Sequence, residues 1–376
     1  MNWVKLAIWY CSFITIVFGA DYLYTKFFVP IKPIKISESH DPLRVRHSYF
    51  SHTLLSNFQG TNRWGEKDYK ICTNTYGFKD KCQKLDNNNK IYDVAFIGDS
   101  FTEAIGMAYE ESFVGKFAAQ YPNLKVANLG VTGYAPSVYL KKIQWYLDKG
   151  LKFDHLIVFI DISDIQDEAI KYSEASDGSI NYSYAKDKQE AEKFANSIPV
   201  KVKTFVKKNF YFFSLAYIEL KNRFSNNKYG VFNHWKFSPL SEWTYNTESS
   251  EYGDMGVLGA IEKTKNYMRR LDVLLKAKNI KLSIAVYPHP AQLKETSDSE
   301  NLQVKIWREF CKNRCEIFIN TFPEFYKEIA KTSAEEVYEK FYILGDVHYN
   351  ELGNSLIFSV LNKNYEKYIF SKQKEL

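Results

Sequence analysis

The sequence is poor in methionine and cysteine, with 4 and 5 residues among 376, and it holds no tract of five or more consecutive basic residues. Its 50 Lys and Arg stand against 44 Asp and Glu, a net charge of +6 that is scattered along the chain. Nucleic-acid binders gather such charge into a stripe or tail, so no nucleic-acid partner is expected. There is no phosphate-binding loop, no dinucleotide fingerprint and no His/Cys constellation with metal-ligand spacing, so neither cofactor nor metal is expected. Internal repeats and sustained heptads are also missing. What the chain does have is aromatic bulk, 28 Tyr and 28 Phe in a total aromatic share of 17%. Core packing accounts for such residues, although a sugar- or lipid-contacting surface would use them too. The length suits one large domain with an insertion, or two domains.

Long apolar runs are scarce as well. The one that stands out is Leu6 to Ala20, uncharged, with Lys5 before it and Asp21 after it. As a helix it would rise about 22 Å, short of the roughly 30 Å hydrocarbon core. Trp3, Tyr10, Tyr22 and Tyr24 could extend it through the interfaces. Residues 1–24 are therefore expected to be a signal anchor or a signal peptide, with a buried soluble helix as the alternative. Membrane attachment through this segment and an extracytoplasmic location, periplasmic or cell-surface, follow as expectations.

One cysteine, Cys11, lies in that run. The other four form two close pairs, Cys72 with Cys82 and Cys311 with Cys315. An even count grouped in pairs suits two local disulfides in an oxidising compartment. Free thiols or a zinc site are the alternatives, the latter with poor ligand spacing.

Residues 25–90 read as a membrane-proximal linker and lead-in, stiffened by Pro30 and Pro33 and closed by NNNK at 87–90. From 91 the pattern becomes regular. Short apolar strands are expected at 92–97, 126–129, 155–160, 282–287 and 316–320. Helices are expected near 110–121, 136–147, 257–278, 301–312 and from 351 onward. Strands alternating with helices predict an α/β domain over 91–370, with a parallel central sheet between two helical layers. Ligand sites in such folds lie at the C-terminal ends of strands. Residues 165–255 break the pattern and read as an inserted cap, with one helix around 202–224.

Two segments carry chemistry. In Val94-Ala-Phe-Ile-Gly-Asp-Ser-Phe-Thr102 a strand ends in Gly98-Asp99-Ser100 and turns toward a helix. A nucleophilic serine needs such a turn, which exposes Oγ and brings backbone N–H groups beside it. In Gly345-Asp-Val-His-Tyr-Asn-Glu-Leu-Gly353, Asp346 and His348 are two apart, so an extended loop puts both on one side. Asp346 would then hold one ring nitrogen of His348 and leave the other to take the Ser100 proton. An ordinary helix lead-in with Asn350 as N-cap is the structural alternative, and both fit together.

GDSFT at a first strand, NLGVTG at a second, a polar cluster after a third and DVHYN before the last helix together resemble the SGNH/GDSL hydrolase superfamily. The similarity spans roughly 70–365 outside the insertion. TNTYGFKD at 73–80 is similar to the lead-in of bacterial members tied to surface polysaccharides. The resemblance implies a flavodoxin-like three-layer α/β/α sandwich with Ser100, Asp346 and His348 as the triad. It also implies an oxyanion hole from the N–H groups of Ser100 and Gly130. The family's third motif, Gly-x-Asn-Asp, supplies an Asn amide to that hole. Here it reads Asp161-Ile-Ser-Asp164, so Ser163 stands at the amide's position with a shorter reach. Loss of one such donor typically costs about 10²–10³ in rate. Asp164, Asp167 and Glu168 add charge nearby and are expected to cap the following turn. Asp99, His289 and Trp243 are the candidate substrate contacts. Pro on both sides of His289 also suits a structural turn, and Trp235 and Trp243 also suit the core of a cap.

The function implied is a serine-dependent ester hydrolase or O-acyltransferase. Its expected substrate is an O-acyl, chiefly O-acetyl, group on a surface or secreted glycan. The acyl group would come from that substrate or from a membrane-bound partner. Two rivals stay open: an esterase of lipids or small esters, and a catalytically inactive glycan-binding module motivated by Ser163.

Overall fold

A computed structural model describes residues 3–28, 43–64, 67–82, 89–183, 205–206, 209–213, 216, 239–295 and 298–375. The chain divides into two compact units, Met1–Asp41 with Tyr184–Lys228, and Pro42–Ser183 with Tyr229–Leu376.

In the smaller unit, Trp3–Phe28 form one helix, α1. Asp21 does not end it. Its carboxylate lies inside the helix and is buried, accepting the N–H groups of Phe212 and Phe213 at 3.0 and 2.9 Å. Thr25 Oγ1 accepts the Tyr211 N–H at 2.8 Å. Phe18 packs on Phe210 and Phe213. These are the unpaired donors that begin a short helical turn, and α1 satisfies them with a carboxylate. Part of the expected cap thus belongs with the N-terminal helix. Among the described residues no helix is long and apolar enough to cross a membrane. The span expected over 1–24 is therefore not supported: Lys5, Asp21 and Lys26 punctuate a helix whose uncharged stretch is short.

The larger unit begins with an antiparallel hairpin, β1 (Arg44–His47) and β2 (Ser51–Leu54). Next come β3 (Gln59–Trp64), β4 (Lys67–Thr73) and β5 (Lys79–Asp80). Then β6 (Ile91–Ile97) leads through α2 (Ser100–Glu103) and α3 (Phe113–Gln120) to β7 (Val126–Asn128). α4 (Pro136–Asp148), β8 (Lys152–Ile160) and α5 (Asp164–Ile170) follow, then a hairpin of β9 (Tyr172–Glu174) and β10 (Ile180–Tyr182). The insertion also holds α6 (Pro239–Glu242), and after it come α7 (Gly256–Ala277), β11 (Lys281–Val286), α8 (Pro290–Glu295) and α9 (Leu302–Cys311). The chain closes with β12 (Ile317–Asn320), α10 (Phe322–Ile329), α11 (Ala334–Phe341) and α12 (Glu351–Glu375).

Eight strands form one sheet in the order β12-β11-β8-β6-β7-β5-β4-β3. The five from β12 to β7 are parallel, and they are the five expected from the apolar runs. Numbered by chain position their order is 2-1-3-4-5 from β7 to β12, the flavodoxin-like arrangement. The other three strands, antiparallel, come from residues read above as lead-in, so the sheet is mixed. Tyr69 and Ile71 of β4 are buried, and this edge completes the core.

Residues alternate between the faces of the sheet, as a strand period of two requires. Ala95 and Ile97 of β6 join Leu156, Val158 and Ile160 of β8 under α4, α7 and α9. Val94 and Phe96 join Ile157 and Phe159 under α3, α10, α11 and α12. Both faces are covered, so the parallel strands read as continuous apolar runs. Each buried Ile, Leu or Phe contributes roughly 1.5–3 kcal/mol. Cys72 is bonded to Cys82 and Cys311 to Cys315, the pairs that their spacing singled out. Most of the insertion, including Trp235 and most of the helix expected at 202–224, lies outside the described residues.

Candidate active site

β6 delivers the serine. It gives way to Gly98, where an added Cβ would lie 2.2 Å from Thr102 Oγ1 and 2.8 Å from the Phe159 carbonyl oxygen. Only glycine lets the strand turn so tightly. Asp99 then caps α2, its Oδ1 accepting the Phe101 N–H at 2.9 Å. Ser100 takes the first helical position, with its Oγ 2.8 Å from His348 Nε2. His348 Nδ1 lies 3.0 Å from Asp346 Oδ2. An ionised carboxylate only accepts, so Nδ1 carries the proton and Nε2 is left as the base.

The loop that brings this pair is tightly held. Asn350 Oδ1 caps α12 by accepting the Gly353 N–H at 3.0 Å. Tyr342 and Tyr349 both donate to the Pro288 carbonyl at 2.9 Å. Tyr338 OH accepts the Gly345 N–H and donates to the Asp346 carbonyl. Asp346 Oδ1 accepts the Val347 N–H at 2.7 Å, and Oδ2 accepts from the Trp64 indole as well as from His348. Burial alone would raise the Asp346 pKa, but the bonds from His348, Trp64 and Val347 outweigh it and hold the group below its ordinary value. The Trp64 ring meets His348 edge-on at 5.4 Å. Phe101 packs on the imidazole at 5.0 Å.

The remaining candidates fall elsewhere. Gly130 N–H donates to Asn128 Oδ1 at 3.0 Å, so the oxyanion donor expected there is committed to its own turn. Its lack of a side chain serves packing, since an added Cβ would sit 2.6 Å from Glu103 N. Three residues on, Gly133 has φ of +73° and borders open space, and its N–H has no partner among the described residues. Ser163 sends its N–H to Asp161 Oδ1 at 2.8 Å, and its hydroxyl acts on the same carboxyl. Trp243 is not a substrate contact. It is fully buried and donates Nε1 to the Ile162 carbonyl at 2.8 Å, fixing the insertion to the end of β8. His289 is also buried, its N–H bonded to Gln292 Oε1. Burial lowers its pKa to about 3, with His348 pushing the same way and Asp346 opposing. This neutral ring feels the charge of both His348 and Asp346, which places it near that pair. Asp99 is likewise buried, used as a cap and by Tyr287 OH at 3.2 Å.

Asp164 and Glu168 of α5 bond to α4 rather than to the turn that follows them. Glu168 Oε1 accepts the Ser137 N–H at 2.6 Å, serving the first turn of α4, and burial lifts its pKa to about 7. Asp164 receives the Tyr139 hydroxyl, and burial followed by Asp161 and Asp99 pushes its pKa well up. Trp64 was missed by the sequence reading. It lies 282 positions from Asp346, on a strand whose short polar sequence carries no local signal of function.

No protein-family model and no curated protein matches the chain. Among solved structures the chain is similar to Axe2, an acetylxylan esterase from Geobacillus stearothermophilus, at 13% identity over 73% of this chain and 93% of that one, with a TM-score of 0.37. It is similar to a member of the lipolytic protein G-D-S-L family from Veillonella parvula DSM 2008, at 12% identity over 73% and 97%, TM-score 0.37. It is also similar to the psychrotrophic esterase EstA from Pseudoalteromonas sp., at 10% identity over 75% and 99%, TM-score 0.36. At such low identity and score, fold and chemistry alike rest on this chain's own residues.

Proposed function

We propose that the chain is a serine-dependent esterase of the SGNH/GDSL type. The observation that carries this reading is the hydrogen-bonded series from Ser100 through His348 to Asp346 at the C-terminal end of a parallel strand. Ser100 Oγ attacks the acyl carbonyl carbon while His348 Nε2 takes its proton. Asp346 holds the imidazolium in orientation. The tetrahedral intermediate collapses, the alcohol leaves with the proton from His348, and an acyl group stays on Ser100. Water, deprotonated in turn by His348, releases the acid. The N–H of Ser100, at the start of α2, is the backbone donor for the oxyanion, and the N–H of Gly133, which has no partner among the described residues, is the candidate for a second. Its substrate is an O-acetyl group on a glycan hydroxyl, a reading supported by the TNTYGFKD segment, which is similar to the lead-in of members tied to surface polysaccharides. A sugar hydroxyl replacing water would make the same acyl-enzyme a transferase. The two disulfides support an oxidising, extracytoplasmic compartment.

The test is turnover of a chromogenic acetyl ester, with a serine-directed phosphonate added and the labelled residue found by mass analysis. Labelling of Ser100 with loss of turnover is expected. Absence of both turnover and label would leave a glycan-binding module instead. Acetylated glycan, with and without an unacetylated acceptor, then separates hydrolysis from transfer.

A further inference from the structure

Ser100 Oγ has a second neighbour besides its base. Asp99 Oδ2 lies 3.4 Å from it, against 2.8 Å for His348 Nε2. The hydroxyl carries one hydrogen, and both neighbours could accept it. An ionised Asp99 would compete with the base, because a bond to a charged acceptor is roughly twice as strong as one to a neutral acceptor. The hydrogen would be drawn away from the nitrogen that must take it.

The two oxygens of Asp99 are used unequally. Oδ1 accepts the Phe101 N–H at 2.9 Å and the Tyr287 hydroxyl at 3.2 Å. Oδ2 has no partner among the described residues except Ser100 Oγ. Oδ1 therefore suits the carbonyl oxygen of a carboxylic acid. Oδ2 suits its O–H, since a serine hydroxyl also accepts. The surroundings agree. Asp99 is buried, and burial first, with Asp161 second and Asp167 adding to it, pushes its pKa well up. Burial raises Asp161 as well, but the Ser163 hydroxyl and N–H, the Ile162 N–H and the His348 charge all pull it back down. Two carboxyls sharing a dry site do not both ionise. The anion falls to Asp161, which has more donors, and the proton to Asp99. The other titratable groups that bear on Asp99 are Asp164 of α5, Tyr139 of α4, Tyr287 after β11 and Tyr349 beside His348. None of them brings a positive charge.

We propose that Asp99 is kept as the neutral acid, with its hydrogen on Oδ2 donated to Ser100 Oγ, so that the serine's own hydrogen is directed to His348 Nε2. Asp99 is thus a positioning residue for the nucleophile, in addition to capping α2. Its proton stays on Oδ2 throughout, and the proton that moves is the serine's, to Nε2. The proposal rests on the esterase reading.

The experiment has two arms, both with the full chain. The first records the infrared difference between wild type and Asp99→Asn at pH 7. Asparagine caps a helix as aspartate does, so the variant should fold. Loss of a protonated-carboxyl band is expected, and loss of carboxylate bands instead would overturn the proposal. The second arm measures kcat and KM for a chromogenic acetyl ester from pH 5 to 10. Asp99→Ser keeps the cap but has no second polar atom to offer Ser100, so it should lower kcat about tenfold with KM little changed, the worth of one neutral hydrogen bond. Asp99→Asn keeps a neutral donor and should recover most of that loss. Asp99 is neutral at low pH and ionises as pH rises. Over any range where its infrared band titrates away, wild-type kcat should therefore fall, and that of the Asn variant should not. An Asn variant as slow as Ser, a Ser variant as fast as wild type, or a titrating band with no change in kcat would each overturn the proposal. Wild type that neither turns over the ester nor labels at Ser100 would instead remove the esterase reading, and this inference with it, whatever the infrared difference shows.

Discussion

Two polar clusters meet at the C-terminal end of the sheet, and they are finished to different degrees. Around His348 every polar atom has a partner: Nε2 with Ser100, Nδ1 with Asp346, and both Asp346 oxygens with donors from Val347, Trp64 and His348 itself. Around Asp161 one oxygen has none. A fully satisfied network fixes a single geometry, which a proton-transfer series needs before substrate arrives. Asp161 Oδ2 is without that constraint, so the two clusters are held to different degrees before substrate arrives.

The sharpest way to break the finished cluster is at its ends. Ser100→Ala and His348→Ala should each lower ester turnover by at least about 10³, and the double variant should lose little more, since such groups act as a unit. Steady-state rates with matched melting curves check this, and near wild-type turnover in Ser100→Ala would dissolve the comparison altogether. Trp64→Phe keeps the ring and removes one donor from Asp346. A bond to a charged acceptor is worth roughly 1.5–3 kcal/mol, so a loss of about tenfold or more in kcat is expected. The acidic limb of the pH profile should also move upward, because a less stabilised Asp346 is easier to protonate. A profile identical to wild type would show that the indole only packs.

Ser163→Asn tests the unfinished cluster. Ser163 already serves Asp161, so an amide there should change turnover by no more than about threefold. A rise on the order of 10² would put the missing donor at 163 after all. The smallest effect belongs to a satisfied network away from the site. Glu174 is gripped by Arg270 at 2.6 and 2.9 Å and by Lys141 at 2.7 Å. Its side-chain bond to Arg270 leads in lowering its pKa to about 2, from 4.5. That stabilisation is complete above about pH 4.5 and is lost as pH falls toward 2. Glu174→Gln should therefore melt a few degrees below wild type at pH 6 and match it near pH 2. A gap that persists at low pH would point to packing rather than charge.

Much of this was legible in the sequence because it is local. The runs YDVAFI and HLIVFI are too apolar for a one-sided strand, and they lie in the middle of the sheet. Gly98 and the two-residue step from Asp346 to His348 are visible in the sequence itself. The lead-in strands were not legible: QGTNRW and KDYKICT form an edge where polar residues are tolerated, so their composition resembles a loop. Trp64 escaped for the same reason, and Trp243 was ambiguous because a buried indole and a sugar platform look alike in sequence. Asp161 was passed over since a resemblance directs attention to position 163, while the unsatisfied oxygen two residues earlier appears only in three dimensions.

The distances along the chain have a further consequence, one of timing. Ser100 and His348 are 248 positions apart, and Trp64 and Asp346 are 282 apart. Synthesis proceeds from the N-terminus, so the serine and the indole are made long before their partners exist. A lone serine hydroxyl is a poor nucleophile at neutral pH. The growing chain is therefore chemically silent, and it acquires its reactivity in one step when its last helix docks and carries the histidine loop into place.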